Sequence, residues 1–140
     1  MIFPFIVIEA LMKDEGFRAR PYKDTMGKTT VGYGRNLDDN PLTIPEAKAL
    51  LLNDVTRTVA AMDARMPWYR TLNDVRKAVL INMAFNLGVL GLLTFRKMIA
   101  AIQRGDFVEA AREMRSSKWY QQVGHRAERL AKEMETGEQA

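Results

Sequence analysis

Along most of the chain apolar residues recur every three to four positions, the spacing that gives a helix one buried stripe. After Pro4, Ile6, Leu11 and Met12 are interleaved with Glu9, Lys13 and Asp14, which predicts a short helix ending before Gly16. Between Phe17 and Gly34 the pattern changes to short runs, RPYKD and KTTVGYG, punctuated by Pro21, Gly27, Gly32 and Gly34. Punctuation of this kind marks turns, so a small β-hairpin is expected, with Met26-Gly27 at its turn. The β-branched run in Lys28-Thr29-Thr30-Val31 makes it the only convincing strand. Helical spacing then resumes. Thr43-Ile44-Pro45-Glu46 has the form of a capping box and opens a helix carrying Leu50, Leu51, Val55, Val59 and Met62. That helix runs about twenty residues, or ~30 Å, to the break at Met66-Pro67, long enough to join two lobes.

Asn73-Asp74 precede Val75, Ala78, Val79, Leu80, Ile81, Met83, Ala84, Phe85 and Leu87, a helix apolar on nearly all sides and hence central and buried. Asn82 and Asn86, at i and i+4 on one face of it, must be hydrogen-bonded internally or look into a cleft. Gly88 and Gly91 are expected to end it, and Thr94 to cap a short helix through Ile102. Asp106 and Glu109 then cap a helix through Met114, Ser116-Ser117 breaks it, and Trp119, Tyr120 and Val123 form an apolar cluster before Gly124. RAERLAKEME makes a last amphipathic helix ending at Gly137. The expected fold class is α+β, one domain over residues 1–140. Its parts are an antiparallel hairpin lobe at about 16–42, a connecting helix at 43–66, and a larger helical lobe from 1–15 with 67–140, leaving a cleft between the lobes.

Composition narrows the chemistry. With 140 residues, 47% hydrophobic and 27% charged, the chain can bury a sizeable core. There is no cysteine and one histidine, His125, which reads as a surface or cap residue. Disulfides and thiolate metal sites are therefore excluded, and neither an Asp-x-Asp loop nor a His-x-x-x-His pair is present, so no metal or cofactor is expected. The net charge of +4 favours polyanions, whether nucleic acid or the anionic bacterial envelope. The opening MIFPFIVI is apolar but lacks a basic leader and a cleavage site, and it is too short to span a bilayer. Neither a signal peptide nor stable membrane insertion is expected, and packing at the start of the helix and weak interfacial anchoring both stay open.

No Gly-x-Ser-x-Gly, phosphate loop or histidine pair offers a nucleophile or a metal, which leaves carboxylates. Glu15 falls at the C-terminal edge of the first helix, where the negative helix end opposes ionisation. Its pKa should rise if the group is also partly buried, which suits a general acid. Asp24 falls on the hairpin and suits an ionised partner. Glycoside hydrolysis needs such a pair, and room for a water between carboxylate and sugar would mean a separation of roughly 6.5–9.5 Å and inversion. Thr30, on the strand opposite Asp24, could hold that water. On spacing alone each residue also has a plainer reading: a solvated helix-end acid, a turn residue and a strand former.

Glu15-Gly16-Phe17-Arg18, Tyr22-Lys23-Asp24-Thr25, Gly27 and Thr30-Val31-Gly32-Tyr33-Gly34 together resemble, in register, the catalytic segment of the phage-type lysozymes, glycoside hydrolase family 24. Residues 78–88, AVLINMAFNLG, resemble that family's buried central helix, and Ser117-Lys118-Trp119-Tyr120 with Arg126-Ala127 resemble its C-terminal segment. The resemblance implies an endolysin hydrolysing the β-1,4 bond between N-acetylmuramic acid and N-acetylglucosamine. Glu15 would be the proton donor, Asp24 the carboxylate that positions water and Thr30 the water-holding hydroxyl. Arg126 matches an arginine that pairs with the catalytic glutamate, and Tyr22, Gly32 and Gly34 are further supporting positions. Asn36, Phe85, Asn86, Met98 and Glu113 are the candidate substrate-binding residues, Phe85 at the cleft floor, with Met98 and Glu113 differing in type from the family. Arg35 departs from the pattern: the T-even phage member has a histidine there in a structural ion pair. The connection from Gly34 to Thr43 is also shorter than in that member, which trims the small lobe.

The partner implied is the peptidoglycan glycan strand, with no nucleic acid, and the chain is expected to act as a monomer. The implied setting is host-cell lysis: synthesis in the bacterial cytoplasm, then action in the periplasm after release by a holin or another route. Two other functions remain open. A lytic transglycosylase would cut the same bond without a water-positioning aspartate, and an envelope-binding module would keep the scaffold without catalysis.

Overall fold

Phe5–Glu15 form helix α1, followed by strands β1 (Arg18–Lys23), β2 (Thr29–Gly32) and β3 (Arg35–Asn36) and by helix α2 (Ile44–Arg65) in the computed structural model, which describes residues 5–140. A 3-10 turn, Pro67–Thr71, leads to α3 (Asp74–Leu87), α4 (Val89–Leu93), α5 (Arg96–Gln103), α6 (Phe107–Arg115), α7 (Lys118–Val123) and α8 (His125–Thr136). The class is α+β, as expected, with one small antiparallel sheet and eight α-helices among the described residues. Two compact units divide inside α2, one up to Ala49 and the other from Leu50. The apolar start of the chain, residues 1–4, lies outside the described residues.

The first unit holds the sheet, ordered β1-β2-β3. It adds a third strand, β3, to the expected hairpin. Tyr22 and Lys23 pair with Thr30 and Thr29, while Arg18 pairs with Gly32, so β1 bulges around Pro21, where a residue without an N–H fits. Thr30 and Val31 pair in turn with Asn36 and Arg35. Thr30 is the one buried side chain of the described residues up to Ala49, and α1 buries none of its own residues. Polar bonds therefore shape this unit. The capping box is present: the Thr43 amide donates to Glu46 Oε1 at 2.9 Å, and the Glu46 amide donates to Thr43 Oγ1 at 3.3 Å. Arg35, which sequence left without its family partner, pairs with both oxygens of Glu46 and donates to the carbonyls of Asn40 and Pro41.

The second unit owns the core. Val79, Leu80, Met83 and Ala84 of α3 are buried against Leu92, Met98, Ile102, Met114, Trp119, Leu130 and Met134. Six methionines, Met62, Met66, Met83, Met98, Met114 and Met134, are at most 1% exposed. Contrary to the all-round apolar reading, α3 keeps an exposed stripe through Ala78, Phe85 and Asn86. Gly88 ends α3, but Gly91 sits within α4. Thr94 donates back to the Gly91 carbonyl at 2.6 Å and does not cap α5, whose N-cap Phe95 has no side-chain bond to give. Asn73, Asp106 and Ser117 accept from the amides of Arg76, Glu109 and Tyr120 and so cap α3, α6 and α7. Asn73 and Arg76 also reach the far end of α8. Asn73 Nδ2 donates to the Gly137 carbonyl, and Arg76 donates to those of Met134 and Glu135 with its guanidinium 3.5 Å over the Phe107 ring.

Two outcomes follow. Hydrogen bonds from Arg35, then from the Thr43 amide and hydroxyl, pull the Glu46 carboxyl from its ordinary 4.5 down to about 2. Because the folded-state value is the lower one, this contribution is complete above about pH 4.5 and disappears as pH falls toward 2. Glu46→Gln therefore lowers Tm at neutral pH, and its gap to wild type in thermal melts closes across that acid window. Asn73→Ala removes a cap and a tie to α8, and denaturant titration should show a loss of about 1–2 kcal/mol.

Candidate active site

Glu15 is the last residue of α1, as expected, and its side chain is exposed. Its carboxylate lies over the backbone of Gly34, in the turn that joins β2 to β3. A Cβ built on Gly34 would stand 2.5 Å from Oε2 and 2.7 Å from Cδ of Glu15. Phe17 and Tyr33, on the neighbouring positions of the two segments, stack with ring centroids 5.6 Å apart. The end of α1 and the β2–β3 turn thus form one small assembly.

Asp24 follows β1 and builds the hairpin turn. Its Oδ1 accepts from the amides of Met26 at 2.8 Å and Lys28 at 2.9 Å, and its own amide donates to the Lys28 carbonyl. Among the described residues these bonds engage only Oδ1. Thr30 does not stand opposite Asp24 itself. Its cross-strand partner is Tyr22, two residues earlier. The Thr30 hydroxyl donates to the Lys28 carbonyl at 3.0 Å, and the residue is 3% exposed. One residue, Lys28, therefore orients both groups, through its N–H for Asp24 and through its C=O for Thr30. With its proton committed, the threonine oxygen can only accept from a further molecule. Tyr22 is half-buried beneath Arg18, whose guanidinium lies 4.2 Å from the ring centroid. Asn36 spends its side chain on Asp39, donating from Nδ2 to Asp39 Oδ2 and accepting the Asp39 amide at Oδ1.

In the second unit the structure gathers the remaining candidates into two places. Phe85, 41% exposed, lines a cavity of about 360 Å³ with Leu51, Val55, Ile81, Asn82 and Arg126. Arg126 donates to Asn82 Oδ1 from Nε at 2.9 Å and from Nη2 at 2.5 Å. Asn86 Oδ1 accepts from Trp119 Nε1 at 3.1 Å, so both asparagines of the α3 face have internal partners. Met98 and Glu113 line a second cavity of about 630 Å³ together with Arg96, Lys97, Lys118 and Trp119. The Met98 side chain is itself core, 1% exposed. The three cations there escaped sequence reasoning, although the pair Arg96-Lys97 at a helix start, where the helix dipole disfavours positive charge, was a legible signal. Next to Arg126, Glu128 accepts from Arg115 and from Tyr120 OH, and these hold its carboxyl below the usual range while fixing the first turn of α8.

The chain matches known proteins over nearly all of its length. The model of a family described as phage lysozyme matches residues 12–135. A Dictyostelium discoideum protein named probable T4-type lysozyme 1 is 30% identical over 158 aligned positions, which cover 92% of this chain and 93% of that protein. The pre-baseplate central spike protein Gp5 of Enterobacteria phage T4 is 32% identical over 157 positions, covering 92% of this chain but 27% of the spike protein. Both alignments are longer than the 140 residues of the chain, so both relatives carry stretches that it lacks. With a match running from α1 to the last turn of α8, the chain belongs to the phage lysozyme family and is a lysozyme-type glycoside hydrolase.

Proposed function

We propose that this lysozyme hydrolyses the β-1,4 bond between N-acetylmuramic acid and N-acetylglucosamine in peptidoglycan, with inversion at the anomeric carbon. Glu15 protonates the glycosidic oxygen as the bond breaks. Asp24 and Thr30 hold the attacking water. The observation that carries this reading is the Lys28 backbone, whose N–H fixes the Asp24 carboxylate and whose C=O fixes the Thr30 hydroxyl. Both groups then present acceptors. A water donating one hydrogen to the carboxylate and the other to the threonine oxygen keeps a lone pair free for the anomeric carbon, and as that bond forms its proton passes to Asp24. Such positioning replaces the entropy of recruiting a loose water, and general acid help from Glu15 adds about 10²–10⁴-fold.

Arg126 is proposed as the charged support of Glu15, and Phe85 with the cavity around Met98 and Glu113 as contacts for the strand. The proposed setting is host-cell lysis after release by a holin. No helix among the described residues is long and apolar enough to cross a membrane.

Digestion of purified peptidoglycan with mass analysis of the fragments tests the bond and the reaction together. Fragments with reducing N-acetylmuramic acid ends are expected, and 1,6-anhydro ends would mean transglycosylation instead. Glu15→Gln should lower the rate by at least about 100-fold with the thermal melt unchanged. A fully active Glu15→Gln protein would remove Glu15 from the role of acid.

A further inference from the structure

The contact between Glu15 and Gly34 belongs to neither the sheet nor a hydrogen-bond network, yet it touches the proposed acid directly. We infer that Gly34 is a positioning residue, a shelf without a side chain across which the Glu15 carboxylate lies, so that a hydrogen at this one position sets where the acid's proton is delivered. The inference rests on Glu15 being the acid. Three atoms of Glu15 occupy the space of the missing Cβ: Oε2 at 2.5 Å, Cδ at 2.7 Å and Cγ at 3.0 Å. Real Cβ atoms do not approach so closely, so any side chain at 34 must displace the carboxylate. The displacement is sterically easy, because the Glu15 side chain is exposed and flexible. Its cost therefore falls on function more than on stability. The tilted Phe17–Tyr33 stack holds the two segments together while the shelf decides the rotamer.

Backbone strain is the confounding effect, since Gly34 has φ +76°. Gly105 supplies the control. It has φ +79° and nothing within 4 Å of a built Cβ, and it lies between α5 and α6. Gly34→Ala and Gly105→Ala should lower Tm by similar amounts. Only Gly34→Ala should lose kcat on peptidoglycan, by roughly 100-fold for a displacement near 1 Å, with KM little changed. Gly34→Asn, which tolerates the left-handed backbone but still carries a Cβ, should lose kcat likewise and covers the case in which the alanine variant folds poorly. Glu15→Asp shortens the acid by one methylene and withdraws it from the shelf, so adding Gly34→Ala to that variant should cost almost nothing more.

Equal kcat for Gly34→Ala, Gly34→Asn and Gly105→Ala would overturn the inference, as would full additivity of Gly34→Ala with Glu15→Asp. Wild-type activity in Glu15→Gln would overturn it through its premise, separately from the shelf contact.

Discussion

Two or three short strands cannot bury an apolar core between themselves, and this sheet does not attempt it. Thr30 is its single buried side chain. What holds the strands to the start of α2 is the Arg35 guanidinium, which gathers both Glu46 oxygens and two loop carbonyls around one planar group. Apolar packing is strong but indifferent to direction, whereas a guanidinium fork fixes angles as well as distances. The groups this unit carries, Asp24 and Thr30, would in their proposed roles have to be aimed more than sheltered. A unit organised by directional bonds suits that demand.

The second unit solves the opposite problem. Its helices bury a continuous interior, and polar side chains are used to lock register once packing is done. Helices α3 and α8 are fastened at two separate places along α3: Asn73 and Arg76 grip the carbonyls at the close of α8, and Asn82 holds Arg126 in its first turn. Two fastenings on one helix pair leave little freedom to slide, so the side chain of Arg126 inherits the rigidity of the bundle. Arg115 and Tyr120 repeat the device through Glu128 from the neighbouring helices.

Six of the eight helices among the described residues, and the caps at Thr43-to-Glu46 and Asp106-to-Glu109, could be read from the sequence, because 3.6-residue spacing and capping signals are local. The short α4 and α7 were missed, and Ser117, read as a break, caps α7. Partners distant in sequence could not. Asn82 and Asn86 showed only that they needed bonds, and nothing in the chain said that Arg126 and Trp119 would supply them. Strand β3 was missed because Arg35-Asn36 is two residues long and has no β-branched run. Glu46 had already been assigned to the capping box, which hid its second role as the partner of Arg35. Glu15 and Asp24 were found by elimination and by resemblance in register. The Lys28 N–H and C=O that link Asp24 to Thr30 have no signature, because backbone groups carry no residue identity.

The interior of the helical unit has a chemical consequence of its own. Six of its most deeply enclosed side chains are thioethers, unbranched and adaptable, so this core is specified by volume more than by shape. While the unit is closed, the sulfurs are out of reach of oxidants. Once it opens, each sulfoxide formed would bring a polar oxygen that must be desolvated on closing. Unfolding in an oxidising medium would then work as a ratchet.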